Sequence, residues 1–369
     1  MTEDWENGGF GIYIHWPFCT AKCPYCDFNS HVRSNINQKQ WLKAYLNEIK
    51  RVSEKTSNRI LNSVFFGGGT PSLIEPSIIG DVLNEIQKHW KTKNNFEVTL
   101  EANPGSVDAK NFKAYKEAGV NRTSMGIQSL NTKDLKALGR THTVEEALAA
   151  FEIARQNFKA VSFDLIYARQ NQNISQWEKE LSLALSLEAS HMSLYQLTIE
   201  QGTAFGDRYN RGLLKGLPND DTSADMYDLT LSLCEDRGLV SYEVSNYAHQ
   251  GYESIHNLIY WRYGDYIGIG PGAHGRLTID GKKYATETVL SPEAWLTKVE
   301  CDGSGESNSV VLTDQQQAAE FVMMGLRLKE GINYQRFKNL SGSAFSKTKL
   351  NFLKDLNLIE EKDGYIATT

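Results

Sequence analysis

Three cysteines within eight residues are the first feature of this chain that could do chemistry. They read Cys19-Thr20-Ala21-Lys22-Cys23-Pro24-Tyr25-Cys26, a Cys-x3-Cys-x2-Cys spacing. Three thiolates on one loop can hold three corners of a cubane iron–sulfur cluster, because soft sulfur ligands suit that chemistry. The count of three leaves one iron without a protein ligand and free to bind a small molecule. A structural zinc with His15 or a distant residue as fourth ligand is the competing reading. The other two cysteines, Cys234 and Cys301, stand alone and read as ordinary thiols. Such a tight, odd-numbered cluster is a metal site rather than a disulfide framework, which would spread its cysteines to close long loops.

The elements that must position this loop follow from periodicity. Strand candidates are Gly11–Trp16, Ser63–Phe66, Phe96–Glu101, Arg122–Ile127, Ala160–Tyr167, His191–Ile199 and Val240–Tyr247. Between them lie amphipathic segments at Gln40–Lys55, Ile79–Trp90, Val144–Gln156, Ile174–Leu187 and Ala224–Arg237. In the first of these, Trp41, Ala44, Tyr45, Ile49 and Val52 recur at helical spacing. Strand–helix repeated about six times predicts an α/β fold, a parallel sheet curled into a partial (βα)6-type barrel with extra strands. Active sites of such folds gather at the C-terminal ends of the strands. Chemistry-bearing residues fall there: the cysteines after the first strand, Gly67-Gly68-Gly69-Thr70 after the second, Glu101 at the third and Gln128 at the fourth. Asp164 lies late in the next strand.

The polar, glycine-bearing run Cys301–Asn308 reads as a linker. It divides a barrel domain, residues 1–300, from a C-terminal domain, residues 309–369. Helices at Asp314–Lys329, Tyr334–Leu340 and Phe345–Leu356, then a turn at Lys362-Asp363-Gly364, predict a small winged-helix-like α+β unit. The mixed charge of this unit argues against a nucleic-acid role for it. The 369 residues carry 39 Lys and Arg against 45 Asp and Glu, net −6, so no broad basic face is expected. Packing or covering a substrate is the favoured role. A composition of 40% hydrophobic and 23% charged residues excludes global disorder. No apolar run approaches membrane-spanning length, and the acidic start Met1–Glu6 is unlike a secretory signal, so a cytoplasmic location is expected.

The Cys-x3-Cys-x2-Cys loop after a first strand, Tyr25 before its last cysteine, and Gly67-Gly68-Gly69-Thr70-Pro71 after the second strand together resemble the radical S-adenosylmethionine (SAM) superfamily. That resemblance implies a [4Fe–4S] cluster on Cys19, Cys23 and Cys26, whose open iron chelates SAM. It also implies reductive cleavage of SAM to a 5′-deoxyadenosyl radical, with an external electron donor for the cluster. The glycines would let backbone approach the methionyl end of SAM. Over nearly the whole chain the sequence is similar to the oxygen-independent coproporphyrinogen III oxidases and the HemW-type haem chaperones. Carried over residue by residue, the SAM contacts would be Tyr13, Tyr25, Gly68, Gly69, Thr70, Glu101, Gln128, Arg140 and Asp164. Taken singly, Glu101 or Asp164 reads as a strand-end cap or ion pair, Arg140 as a solvated charge, and Tyr13 as a core aromatic.

Three departures separate the chain from the oxidases. Phe28 stands where their fourth cysteine would be, the segment before Cys19 is short, and His256-Asn257-Leu258-Ile259-Tyr260-Trp261 matches the His-Asn-x-x-Tyr-Trp motif of the haem chaperones. The resemblance thus implies a chaperone that binds haem and passes it to haem-requiring apoproteins, respiratory enzymes at the membrane among them. It implies haem contact or ligation by His256; His274, in Gly270-Pro271-Gly272-Ala273-His274, is a second candidate by residue type, in a run whose glycines read first as a tight turn. It leaves SAM cleavage open and argues against coproporphyrinogen oxidase activity, although radical decarboxylation of coproporphyrinogen III is the alternative. A zinc-stabilised nucleic-acid-binding protein is the third and most distant reading.

Overall fold

The computed structural model describes residues 3–107 and 109–369; Met1, Thr2 and Asp108 lie outside the described residues. Strand β1 (Phe10–Trp16) runs into the cysteine loop, whose base is a two-residue pair, β2 (Phe18–Cys19) with β3 (His31–Val32). Helix α1 (Gln38–Thr56) leads to β4 (Ile60–Gly68), α2 (Pro76–His89) to β5 (Lys91–Ala102), and α3 (Ala109–Glu117) to β6 (Arg122–Gln128). Helices α4 (Thr132–Ala137) and α5 (Val144–Asn157) precede β7 (Ala160–Tyr167), and α6 (Ile174–Leu185) precedes β8 (His191–Gln196). After α7 (Ala204–Asn210) and α8 (Asp220–Glu235) come two short strands, β9 (Val240–Ser241) and β10 (Asn246–Ala248). Helix α9 (Ile255–Trp261) returns the chain to β11 (Asp265–Ile269), β12 (His274–Ile279) and β13 (Lys282–Thr288); α10 (Pro292–Asp302) and β14 (Glu306–Val311) follow.

All these strands except β2 and β3 form one sheet, ordered β14-β13-β12-β11-β1-β4-β5-β6-β7-β8-β10-β9. Seven central strands, β11 through β8 in that order, are parallel, and the strands on both flanks are antiparallel. The six predicted strand–helix repeats are therefore present, on a sheet with extra strands at either side. Central strands read as near-continuous buried runs because helices cover one face and the concave face curves inward. Trp16, Trp41, Tyr45 and Trp295 illustrate the outer layer: α1 and α10 meet through Trp41 stacked on Trp295 at 5.4 Å.

Two expectations need correcting. Val240–Tyr247 is not one strand but two, folded back antiparallel, because Glu243 turns the chain; its carboxylate accepts hydrogen bonds from Ser245 N and Asn246 Nδ2. Cys301–Asn308 is not a linker. It ends α10, turns through Gly303 in the left-handed region, and enters edge strand β14, while Gly305 N donates to the buried Glu48.

Beyond β14, α11 (Asp314–Gly325), β15 (Ile332–Asn333), α12 (Tyr334–Ser341), α13 (Lys347–Asp355), β16 (Ile359–Lys362) and β17 (Tyr365–Thr368) build the small unit. Its sheet is antiparallel, ordered β15-β17-β16. Its core of Phe321, Ile332, Leu340, Ile359 and Ile366 includes Tyr263 from the segment before β11. The unit is thereby anchored beside the concave face.

Candidate functional site

The cysteine loop is stapled to the end of β4. Gly69 N donates to Trp16 O (2.7 Å), and Thr70 N donates to Phe18 O (2.9 Å). Glycine is required here by the protein's own packing: a Cβ on Gly69 would sit 2.6 Å from Phe18 O, and Gly68 holds φ +113 against His15. The run Gly67–Thr70 thus positions the cysteines first, whatever else its backbone touches.

Each thiol meets a polar partner. Thr70 Oγ1 donates to Cys19 Sγ (3.4 Å), Arg140 Nη1 donates to Cys23 Sγ (3.3 Å), and Ser30 Oγ lies 4.0 Å from Cys26 Sγ. Burial pushes the Cys19 and Cys26 thiols above their usual range, so loading a metal there must release protons. Among the described residues no three side chains converge to hold one metal ion. A cubane presents a separate iron to each thiolate and needs no such convergence. The zinc alternative loses its nearby fourth ligand, because both His15 nitrogens are engaged, Nδ1 with Tyr13 OH (3.0 Å) and Nε2 with Asn29 O (2.9 Å). An all-thiolate set with hydrogen-bond donors on its sulfurs fits an iron–sulfur cluster, since such donors tune the cluster's sulfur ligands.

The remaining candidates line up around this loop. Glu101, at the end of β5, accepts from Gly68 N (3.0 Å). Its carboxyl is pushed up to about 8, mainly by burial and further by the Asp164 carboxylate. Asp164, on β7, is itself raised to about 6 by burial, with Ser193 and Ser124 opposing. Tyr13, Glu101 and Asp164 line one polar cavity inside the sheet's concave face, of about 330 Å³. Arg140 sits in the turn after α4, donating to Gly126 O (2.8 Å) beside Tyr25 and Cys23. Gln128 ends β6 with φ +72, a left-handed conformation that glutamine rarely adopts, at a break in the β6–β7 register. Strain of that kind is worth keeping only where the side chain's aim matters.

A second, more apolar cavity of about 420 Å³ shares Tyr13 and Glu101 with the first, adds Gly68, and opens toward the C-terminal unit. Tyr260, Trp261 and Tyr266 wall it from α9 and β11, Arg276 and Glu320 join across it at 2.9 Å, and Phe28 stands at its edge. Arg276, Glu320 and Met324 were not foreseen. Glu320 and Met324 come from α11, and no local sequence signal indicates which helix will face a cavity built by another unit. Phe28 was noticed only as a departure from a motif.

His256 takes a different place from the one expected. Its ring is 1% exposed and stacked on Phe65, with Nδ1 2.8 Å from Ser63 Oγ and Nε2 2.8 Å from Tyr260 OH. Neither nitrogen is offered to an iron. The ring instead fixes α9 to β4 and aims Tyr260 into the cavity. Burial alone drives its pKa down to about 3, so it is neutral in the fold, while in the unfolded chain it protonates near the ordinary value of about 6.5. Between those values the unfolded state binds the extra proton, so stability falls as pH drops, by about 1.4 kcal/mol per unit. His256→Gln is expected to flatten the acid limb of urea-melt stability below pH ~6.5 by about one proton equivalent. An unaltered limb would overturn that assignment.

The sequence pattern of the Radical SAM superfamily matches residues 13–184, and that of the HemN C-terminal domain matches residues 312–369. The chain is 38% identical to the mitochondrial radical S-adenosyl methionine domain-containing protein 1 of Danio rerio, over 96% of this chain and 80% of that protein. It is 38% identical to the heme chaperone HemW of Haemophilus influenzae, over 97% of this chain and 93% of the relative. The HemW of Bacillus subtilis is 34% identical over 97% and 94%. In structure, coproporphyrinogen III oxidase (HemN) from Escherichia coli superposes with a TM-score of 0.81 at 19% identity, covering 99% of this chain and 88% of that one, a likeness of fold. At 38% identity over nearly the whole of both chains, the chain belongs to the HemW family of the radical SAM superfamily.

Proposed function

We propose that this protein binds haem beside a cluster- and SAM-binding centre and hands it to haem-requiring apoproteins. The observation that carries the reading is the apolar, aromatic-walled cavity opening directly off Tyr13, Gly68 and Glu101, with Phe28 at its edge. Such a cavity suits a flat, largely apolar macrocycle. The name of the relatives, heme chaperone, points the same way. Cys19, Cys23 and Cys26 would hold the [4Fe–4S] cluster, and Glu101, Asp164, Tyr13, Tyr25, Gly68, Gly69, Thr70, Gln128 and Arg140 would surround SAM. When bound, that pair supplies one-electron chemistry. The chain's own residues orient it: Arg140 and Thr70 donate to the sulfurs, and the Glu101 carboxyl stands ready to meet a cation.

The decarboxylase alternative is not favoured. It rests on fold likeness at 19% identity, which does not carry substrate. Among the described residues no helix is long and apolar enough to cross a membrane. A cytoplasmic site of action, an electron donor for the cluster, and acceptors among membrane-associated respiratory enzymes belong to the same proposal.

Anaerobic titration of the reconstituted protein with haem, followed in the Soret region, tests it. Saturable binding, followed by haem transfer to an apo-acceptor, is expected. So is the absence of protoporphyrinogen when coproporphyrinogen III, SAM and reductant are supplied. No saturable haem binding, or turnover of coproporphyrinogen, would overturn the reading.

A further inference from the structure

We propose that His274, not His256, supplies the protein ligand to haem iron, in the cavity between α9, β11–β12 and α11. This inference rests on the haem-binding reading above and adds the residue and the place.

Hydrogen bonding selects it. Two histidines line that cavity, His15 and His274. His15 has both ring nitrogens engaged, by Tyr13 OH and Asn29 O. His256, on the far side of Tyr260, is likewise engaged at both. Among the described residues His274 makes no side-chain hydrogen bond. Its Nδ1 lies 3.9 Å from Glu287 Oε1, too long for a bond, and the side chain is 60% exposed. An imidazole needs one free nitrogen to bind a metal, and a carboxylate near the other fixes the ring and raises its basicity. Of the three histidines, only His274 has a nitrogen free, and the Glu287 carboxylate stands 3.9 Å from its Nδ1. Glu287 is its cross-strand partner in the β12–β13 pair, so the placement is built into the register.

The backbone holds His274 firmly at the rim. Gly270 (φ +109) and Gly272 (φ +73) make the turn from β11 to β12. Thr288 pins it, its Oγ1 accepting from Ala273 N at 2.8 Å and donating to Gly270 O. A Cβ on Gly268 would fall 2.1 Å from His274 O, so bare backbone there is what lets β12 start this close to β11. The turn glycines, which the sequence alone explains only as turn residues, thus deliver an imidazole to the edge of an apolar cavity. Inside it the indole Nε1 of Trp261 is buried and has no acceptor among the described residues. That unpaired donor is one a polar edge of a bound ligand could satisfy.

The test is haem titration of the full-length, cluster-reconstituted protein and its variants, read by Soret position and low-temperature EPR as well as affinity. Wild type and His256→Gln are expected to give the same imidazole-ligated spectrum. His274→Ala should lose that spectrum, and affinity should fall by roughly 10–100-fold or more. Added imidazole should restore the spectrum to His274→Ala, because it can refill an exposed ligand position. Since His274 is exposed, its removal leaves the fold intact, which unchanged cluster absorbance will verify. Wild-type binding with an unchanged His274→Ala spectrum would overturn this inference and leave the haem reading standing. Absence of saturable binding in the wild type would remove the haem reading itself, and this inference with it.

Discussion

Asp265→Ala is expected to lower the unfolding free energy at neutral pH by about 3–5 kcal/mol, the usual cost of stranding a buried charge. Asp265 opens β11, is fully buried, and serves two cations: Arg59 Nη1 at 2.6 Å and Lys283 Nζ at 3.1 Å. Thr278 Oγ1 donates to it at 3.1 Å, and Thr278 N donates as well. Arg59 and Lys283 are themselves only 5% and 3% exposed. Removing the carboxylate leaves two positive groups in the seam that joins β1, β11 and β13. The pH dependence identifies the cause. Burial already holds Lys283 below its ordinary pKa, with Asp265 opposing, so without Asp265 it titrates lower still. A lysine neutralised by the fold destabilises less as pH rises toward the unfolded value of about 10.4. The deficit should therefore shrink between about pH 7 and pH 9.5, leaving the Arg59 part, which cannot deprotonate. Urea melts at the two pH values decide it: an equal loss at both, or a loss under about 1 kcal/mol, would mean the cations find other partners.

The same strand shows what the sequence could and could not reveal. Alternating strand and helix periodicity located β1, β4, β5, β6 and β7 to within a few residues, because buried parallel strands leave unbroken apolar runs. The cysteine loop was legible because it is local, spacing along the chain being spacing in space, whereas the glycine run was legible as a motif but its hold on Trp16 and Phe18 was not. What stayed hidden is non-local. Nothing near Asp265 in sequence announces Arg59 or Lys283, and nothing near α9 announces Glu320. The strand expected at Val240–Tyr247 broke because Glu243 prefers to cap a turn and pair with Arg327, a partner 84 residues away. His256 carries a related lesson. A motif indicates that a histidine matters, while its two nitrogens are claimed by Ser63 and Tyr260, and only the fold shows the first of these claims. His274, in a run that reads as a glycine turn, carries the opposite lesson.

SAM affinity of the cluster-reconstituted protein should rise with pH up to about 8, and Glu101→Gln should abolish that rise. The argument begins with the Glu101 carboxyl, pushed up to about 8 by burial and then by Asp164, while the Gly68 N–H opposes. At neutral pH without ligand the group is therefore mostly protonated. SAM carries a sulfonium and an ammonium, and a cation beside a carboxyl favours its ionised form. Binding at pH 7 must then release a proton, and affinity climbs with pH until the free carboxyl is already ionised. Stability of the ligand-free protein shows the opposite sign. A folded pKa above the unfolded value of about 4.3 means that the native state binds the extra proton, so stability declines as pH rises from there toward 8. SAM should restore it. Glu101→Gln mimics the protonated form and keeps an acceptor for Gly68 N, so the fold survives. Its affinity should be flat with pH and about tenfold below wild type at pH 8.5, the worth of roughly one ionic hydrogen bond. Calorimetry in two buffers of different ionisation enthalpy reads the proton directly. If wild type and Glu101→Gln bind SAM alike at every pH, Glu101 serves only to hold Gly68, and the cation must be met elsewhere, with Asp164 the next carboxylate in the same cavity.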